Sequence, residues 1–176
     1  MGRMGGRSAR QACSRRRHDG GAAAVEFALV SSIFFMLLFG ILQYGLYFND
    51  ALNTRQGVRE GARRAVVEDF GFASGCTSGT NSARLLCSTK KEIGAVTGTT
   101  YAKVVATPSP WKQGSGLLVC GLVHSNGVMG IVPMPDDGWI RSKTQMTIEQ
   151  QTQASTWADS ADDLSGTGQS WSWCTS

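Results

Sequence analysis

The dominant feature of the hydrophobic pattern is an apolar run near the start of the chain, from Ala22 to Phe48. A helix of this length extends roughly 40 Å at about 1.5 Å per residue, which exceeds the ~30 Å hydrocarbon core of a bilayer. The run contains no proline and few strongly polar groups: Glu26, Ser31, Ser32, Gln43 and the phenolic ends of Tyr44 and Tyr47. It predicts a membrane-spanning helix over residues 22–48.

After Phe48 the pattern becomes that of an amphipathic helix, in which apolar residues alternate with arginines at spacings of three and four. This predicts a stem helix over residues 49–70 that is capped near Gly71. Gly57, Gly61 and Ala65 lie four residues apart and form a small-residue stripe. The stripe either lets another helix or sheet approach closely or only weakens the helix, and both interpretations stay open.

Residues 71–176 have the size of one small domain and a mixed pattern. A short helix is predicted over Ala83–Val96, and a tight turn at Asn126-Gly127. Residues 130–138 are predicted to form a loop that is long enough to contain a short edge strand. Residues 151–170 are predicted to be irregular. Three strands are predicted, of which the last alternates most clearly: Tyr101–Thr107, Gly116–Val123 and Ile140–Gln150.

These elements predict an α+β fold. A long N-terminal transmembrane and stem helix precedes a small head with an antiparallel β-sheet, one face of which packs on the stem. The expected divisions are a basic leader over residues 1–21, the membrane helix over 22–48, the stem over 49–70 and the head with a polar tail over 71–176.

Positive charge is concentrated in the leader. Residues 1–21 hold six arginines against one acid, Asp19, whereas the rest of the chain carries a net charge of −1. The basic balance therefore gives no support to a nucleic-acid partner. Arginines that flank a first apolar helix place that flank in the cytoplasm, so the head is expected to be extracytoplasmic. We expect the leader itself to be disordered.

A cleavable secretory signal is the alternative interpretation of the same segment. Such a signal has an apolar region of about 7–15 residues followed by a small-x-small cleavage site. The run here is about twice as long and ends in QYGLYFND, without that site. Arg15–Arg17 suggest twin-arginine export, but the residues that follow do not support it. Retention as a single-pass anchor is favoured.

Glu26 is the most informative residue, because a carboxylate inside a membrane helix is costly unless it lies near the interface or is paired. One interpretation is that the first turn and headgroup water tolerate it. The other depends on its position: the leader ends in Gly20-Gly21, Ala22 begins the apolar run, and Glu26, followed by Phe27, is the fifth residue after Gly21. This arrangement resembles the processing site of type IV-like prepilins.

The segment GAAAVEFAL at residues 21–29, together with QGVREGAR at residues 56–63, is similar to the TadE-like family, the minor pseudopilins of tight-adherence pilus systems. The resemblance implies that a prepilin peptidase cuts between Gly21 and Ala22. It also implies that Glu26 stabilises the new terminal amine of an adjacent subunit. The first mature residue, Ala22, is not a bulky aromatic, so nothing suggests modification of that amine.

Four cysteines lie outside the leader, and Cys13 lies within it on the reducing side. An even number of exported cysteines predicts two disulfides with three possible connectivities. Local spacing favours Cys76–Cys87, with Cys120–Cys174 then joining the tail to the sheet, where Trp171 and Trp173 add apolar area. Zinc is the competing interpretation, but the spacing contains no C-x-x-C pair, and we expect no metal site.

No catalytic constellation is apparent. His124 is followed by Ser125, but no nucleophile elbow or metal motif accompanies them, and a surface position for the histidine is expected. Two acidic pairs, Asp136-Asp137 and Asp162-Asp163, lack the calcium-loop pattern. We therefore expect neither enzymatic activity, a cofactor nor a small-molecule substrate.

The leading hypothesis is a pseudopilin or minor pilin that takes part in assembly of a tight-adherence pilus. Its expected partners are the prepilin peptidase, other pilins and pilus-assembly proteins, and the lipid bilayer. The alternatives are an unprocessed signal-anchored envelope protein with a disulfide-bonded binding domain and, less favoured, an anchored extracytoplasmic enzyme.

Overall fold

The computed structural model describes residues 16–107, 111–127, 133–151 and 157–175. For residues 16–20 it describes the backbone alone. Residues 1–15 of the leader, including Cys13, lie outside the described ranges, as do parts of the predicted loops at 130–138 and 151–170. The chain divides between Ile41 and Leu42 into an N-terminal and a C-terminal unit.

The longest element is helix α1, Arg16–Ala65. Because it begins at Arg16, the prediction of a disordered leader was wrong for residues 16–20. Its Gly21–Ala65 portion has the length and hydropathy to cross a membrane, and it is the one such helix in the part of the chain that the structure describes. This long apolar helix fits a single-pass membrane anchor.

Helix α1 ends several residues before the predicted cap at Gly71. Glu68 adopts a left-handed backbone with φ of 63°. The N–H of Glu68 donates to the carbonyl of Ala65 (2.8 Å), and the N–H of Asp69 donates to the carbonyl of Arg64 (3.1 Å). This pair of bonds is a Schellman-type ending, which is usually built on glycine. The residue that ends helix α1 in the left-handed conformation is therefore a glutamate, whereas the sequence pattern predicted a glycine, Gly71.

The head follows as α2, Asn81–Ile93, and the strands β1, Gly98–Thr107, β2, Gly116–Ser125, β3, Trp139–Thr147, and β4, Ser160–Ala161. A last short helix, α3, spans Ser172–Thr175. The four strands form one antiparallel sheet in the order β3-β2-β1-β4. The α+β class with a small antiparallel head is confirmed, whereas β4 and α3 were not predicted.

The boundaries of α2 and β3 follow local chemistry. Thr80 caps α2 by accepting a hydrogen bond from the Ala83 N–H, and Gly94 ends the helix in a left-handed conformation. Strand β3 stops at Thr147 rather than at Gln150, because the N–H groups of Glu149 and Gln150 both donate to the carbonyl of Val66.

The main core lies between one face of the sheet and the two helices of the C-terminal unit. That sheet face contributes alternate residues of β1 and β2, and the side chains at its centre are fully buried. The stem part of α1 contributes Val58, Ala62 and Ala65, and α2 contributes Leu85 and Ile93. The sheet therefore packs on the stem, as its alternating pattern predicted.

The opposite face of the sheet is also covered, by the C-terminal tail that the predicted Cys120–Cys174 disulfide joins to the sheet. A second cluster contains Val105 and Leu118 of the sheet together with the Cys120–Cys174 disulfide. Trp171 and Trp173 pack against it. The polar C-terminal segment thus covers the face that a two-layer fold would leave to solvent.

Candidate functional site

The predicted processing junction lies within α1. Gly21, Ala22, Glu26 and Phe27 are all exposed. A Cβ atom built on Gly21 would meet no atom within 4 Å among the described residues. The described part of the chain therefore does not shield the Gly21–Ala22 bond from another molecule, although the helical hydrogen bonds around it would have to open for a peptidase to reach the backbone.

The apolar residues around Glu26 are exposed among the residues whose side chains the structure describes. Large side chains along the N-terminal part of α1 are mostly more than half exposed, including Phe27 at 73% and Ile33 at 64%. Ser31 and Ser32 donate hydrogen bonds to carbonyls three residues earlier in the same helix, which satisfies their hydroxyls without water. This surface needs either lipid or apolar helices from other subunits.

Glu26 is exposed on that apolar surface. No hydrogen bond or ion pair to its carboxylate occurs among the residues whose side chains the structure describes. A charged group in such surroundings favours a cationic partner, since pairing offsets the cost of leaving water. The chemistry open to Glu26 is therefore acceptance of hydrogen bonds from an ammonium group.

The small-residue stripe of α1 lies against α2. A Cβ atom on Gly57 would come within 2.5 Å of the Ile93 nitrogen, and one on Gly61 would overlap the Thr89 side chain. Ala65, the third member, is fully buried. The element that approaches closely is thus the helix of the same chain, and the glycines are needed for that approach.

Asp50 is a structural residue that the sequence analysis missed. It lies two residues after the end of the apolar run and is fully buried. Its carboxylate accepts hydrogen bonds from the Val96 N–H (2.8 Å), the Thr97 N–H (3.3 Å) and the Thr97 hydroxyl (2.6 Å). One acid therefore fastens α1 to the segment that joins α2 to the sheet. The one hint of this role in the sequence was that Asp50 lies four residues before Thr54, on the same face of the helix. The structure shows that Thr54 is buried.

Both disulfides are present with the connectivity that local spacing favoured. Cys76 pairs with Cys87 across a sequence separation of 11 residues, and Cys120 pairs with Cys174 across 54. The first joins the loop after α1 to α2. The second attaches the C-terminal segment to the middle of β2. These bonds replace the zinc interpretation, because all four head cysteines are used.

The other candidates from the sequence have structural partners. The His124 ring stacks on Trp139 with centroids 4.3 Å apart, so the histidine is half-buried rather than a simple surface residue. Asp162 pairs with Lys90 at 3.0 Å. Hydrogen bonds from the Ser165 hydroxyl and N–H lower the pKa of the exposed Asp163. Within the described residues, no cluster of three or more metal-ligating side chains occurs.

A family model described as TadE-like protein matches residues 21–63. The match supports assignment of this segment to the TadE-like family. The TadE-like segment covers about a quarter of the chain and includes Glu26 and the small-residue stripe. No curated protein and no solved structure matches the chain.

The TadE-like family is a family of pilus-related structural proteins rather than enzymes. Together with the membrane-spanning capacity of α1, the match fits a protein associated with a tight-adherence pilus. It also suggests interaction with other pilus components. The matched segment ends before the head begins, so the family assignment applies to the anchor and the stem.

Proposed function

We propose that this protein is a pseudopilin or minor pilin that takes part in assembly of a tight-adherence pilus. The observation that carries the proposal is Glu26, the fifth residue after Gly21 in the TadE-like segment. It is an acid on an apolar helix and is exposed among the residues whose side chains the structure describes.

The proposed sequence of events begins with insertion of residues 22–48 in the membrane, with the arginine-rich leader in the cytoplasm. A prepilin peptidase then hydrolyses the Gly21–Ala22 peptide bond, which leaves a carboxylate on Gly21 and an amine on Ala22. The Glu26 carboxylate of one subunit pairs with the protonated amine of a neighbour. The apolar side chains beside Glu26 pack against equivalent helices, while residues 49–70 act as the stem of an extracytoplasmic head.

Processing is tested by mass spectrometry of the protein extracted from membranes of cells with an active prepilin peptidase. The expected mature N-terminus is Ala22. Gly21→Val is expected to block cleavage, because the peptidase must approach the backbone at that residue. Gly45→Val is the matched control, since Gly45 lies on the same helix and, like Gly21, a Cβ atom there would meet no atom within 4 Å. An intact leader on the wild-type protein would favour the unprocessed envelope anchor instead.

The pairing role of Glu26 is tested by co-purification with pilus components. Glu26→Ala is expected to reduce co-purification while leaving membrane insertion and cleavage intact. Val25→Ala changes the adjacent exposed residue without altering charge and is expected to behave like wild type. Equal co-purification of the Glu26→Ala variant and wild type would refute the pairing role.

Orientation is tested with a membrane-impermeant maleimide. The four head cysteines pair with one another, which leaves Cys13 in the leader as the thiol for labelling. In a variant whose leader is retained, such as Gly21→Val, labelling is expected only after the membrane is permeabilised. Labelling of intact cells would place the leader outside and reverse the proposed topology.

A further inference from the structure

The head contacts α1 within the membrane span that the sequence predicts. The C-terminal unit includes the last residues of that span, 42–48. The hydroxyl of Tyr44 donates to the carbonyl of Pro133 (3.0 Å), and Gln43 is only 4% exposed. A Cβ atom on Gly127 would lie 3.1 Å from the Gln43 Nε2 atom. When residues 42–48 lie in a bilayer, this side of the head therefore lies at the bilayer surface.

A crevice begins where the apolar run ends. It lies between α1 and β3 and has a volume of about 610 Å³. Phe48 and Leu52 line it from α1 and are 60% and 55% exposed, and the half-buried ring of Trp139 lines it from β3. Neighbouring apolar side chains that remain this exposed mark a surface that binds lipid or another apolar molecule.

Arg55 lines the same crevice farther from the predicted span. Phe48, Leu52 and Arg55 are four and three residues apart, so they share one face of the helix. Arg55 is seven residues beyond Phe48, which is a rise of about 10 Å. The headgroup region extends roughly 5–7 Å beyond the hydrocarbon core on each side of a bilayer. Because side chains on a helix lean toward its N-terminus, a long arginine there can reach back to the level of the lipid phosphates.

The charges in the crevice favour an anionic group at Arg55. The described lining residues include two arginines and no carboxylate. Arg141 is already engaged, since its guanidinium donates to the Gln169 side chain (2.9 Å) and lies 3.4 Å from Asp136. Arg55 is exposed and has no ion pair or side-chain hydrogen bond among the described residues. A phosphate group accepts strong hydrogen bonds from such a guanidinium.

We propose that the crevice binds the phosphate group and the upper acyl segment of a phospholipid, with the phosphate at Arg55 and the acyl chain along Phe48 and Leu52. Lipid is the occupant because the crevice continues the surface of a span that a bilayer surrounds. A phospholipid also joins an apolar chain to a phosphate in the order in which these residues follow the span. The proposal requires the membrane anchor but neither cleavage at Gly21 nor pairing of Glu26, so it stands or falls separately from the proposed pilin role.

Trp139 provides the readout, because it is the one tryptophan among the described lining residues of the crevice. Trp111 and Trp157 are buried in the main core, and Trp171 and Trp173 pack on the opposite face of the sheet. The full-length protein in detergent micelles is titrated with a small mole fraction of phosphatidylglycerol brominated on its acyl chains, which quenches tryptophans in contact with it. Saturable quenching is expected for wild type and is expected to be lost in Trp139→Phe. No quenching, or quenching that persists in Trp139→Phe, would overturn the proposal.

Two further ligands separate a phospholipid site from simpler binding. Brominated diacylglycerol lacks the phosphate group and is expected to bind about tenfold more weakly, because the charged hydrogen bonds are lost. Inorganic phosphate at the concentration of the lipid is expected to leave the quenching unchanged, because it lacks the acyl chain. Equal binding of diacylglycerol would indicate an apolar crevice alone, and displacement by inorganic phosphate would indicate a site for a free anion. Either result would overturn the proposal.

Matched variants test the two contacts. Arg55→Gln is expected to weaken phosphatidylglycerol binding about tenfold. Arg59→Gln is the control, since Arg59 is exposed on the same helix but does not line the crevice, and it is expected to bind like wild type. Leu52→Asn is expected to weaken binding about fivefold. Its control is Val96→Asn, because Val96 is 63% exposed and lies outside the lining. Equal affinities within either pair, with circular dichroism unaltered, would refute the corresponding contact and with it the proposed site.

Discussion

The two parts of helix α1 share a secondary structure but differ in where their apolar surface is buried. Before Ile41, apolar side chains occur on every side of the helix and are mostly exposed among the described residues. After Tyr47, a single stripe that includes Val58, Ala62 and Ala65 is buried against the head. A helix that is apolar all round must find its burial outside the chain, whereas an amphipathic helix finds it within the chain.

The comparison predicts that the two parts respond independently to damage in the head. All five tryptophans lie in the head, so their fluorescence reports on it alone. Circular dichroism is dominated by α1, the longest helix. The following predictions use these two signals and proceed from the largest expected effect to the smallest.

Loss of the Cys120–Cys174 disulfide has the largest expected effect. In the chain-entropy model, a link across 54 residues contributes about 4 kcal/mol. The double variant Cys120→Ser/Cys174→Ser is expected to lower the free energy of unfolding of the head by about this amount in urea titrations followed by tryptophan fluorescence. The helical signal of the N-terminal part of α1 should persist. Joint loss of both signals would show that the anchor depends on the head.

Gly57→Leu is expected to destabilise the head by about 3 kcal/mol, because the new side chain collides with the backbone of α2 at Ile93. Gly45→Leu makes the same change in an exposed part of the helix and is expected to leave the urea midpoint of the head unchanged. Equal effects of the two substitutions would show that the glycines act through helix propensity rather than through packing.

Val58→Ala is expected to cost about 2 kcal/mol, since Val58 is fully buried in the main core. Val30 is 62% exposed, and Val30→Ala is expected to have no effect on the tryptophan transition. In a lipid bilayer, the same Val30→Ala change could act only through lipid or a neighbouring helix. A measurable effect on the tryptophan transition of the isolated protein would contradict this prediction.

The acidic residues in the two parts of α1, Glu26 and Asp50, are also expected to differ in their effect on the stability of the head. Asp50→Asn retains the shape of the side chain but removes the charge from three hydrogen bonds, and it is expected to cost about 1–2 kcal/mol. Glu26→Gln is expected to leave the head unchanged, because its proposed role requires a neighbouring subunit. If Asp50→Asn left the stability of the head unchanged, the N–H groups of Val96 and Thr97 would have to have found other hydrogen-bond partners.

Arg64 has the smallest expected effect. Its hydrogen bonds to Glu60 and then Asp69 raise the pKa of the Arg64 guanidinium. A raised pKa contributes stability that is fully present below the unfolded pKa and is lost only as the pH rises through the folded pKa. Arg64 therefore adds no pH dependence between about pH 5 and 9. Because the group is solvent-exposed, Arg64→Gln is expected to shift the urea midpoint only within error. A clear pH-dependent difference from wild type in that range would refute this assignment.

The anchor could be predicted almost entirely from the sequence. The apolar run and the spacing of Gly21 and Glu26 are local patterns, and the TadE-like match begins at Gly21 and covers them. The orientation that the leader arginines indicate stays a prediction. Strand β3, which has the clearest alternation of apolar and polar residues, was also predicted from the sequence, with an error of three residues at its C-terminal end. Such features need no knowledge of which segments meet.

The α+β class of the head could be predicted from the sequence, but the contacts between its segments could not. The burial of Asp50, the contact of Gly57 and Gly61 with α2, and the aspartates that cap the β1 edge all join residues far apart in the chain. A polar side chain next to a membrane segment has the same local pattern whether it is exposed or buried. Its partners lie dozens of residues later, so no sequence window contains both.

The sequence by itself determined that the chain has an apolar helix with an acid near its start and an oxidised, partly β-structured head. These properties come from side-chain chemistry and from the periods of helix and strand. The tertiary structure decided which stripe of the helix the head covers, which aspartates bond to the backbone of β1 and which face of the sheet the polar tail covers. Those outcomes depend on which surfaces meet, because burial and hydrogen bonding are properties of pairs of segments rather than of one.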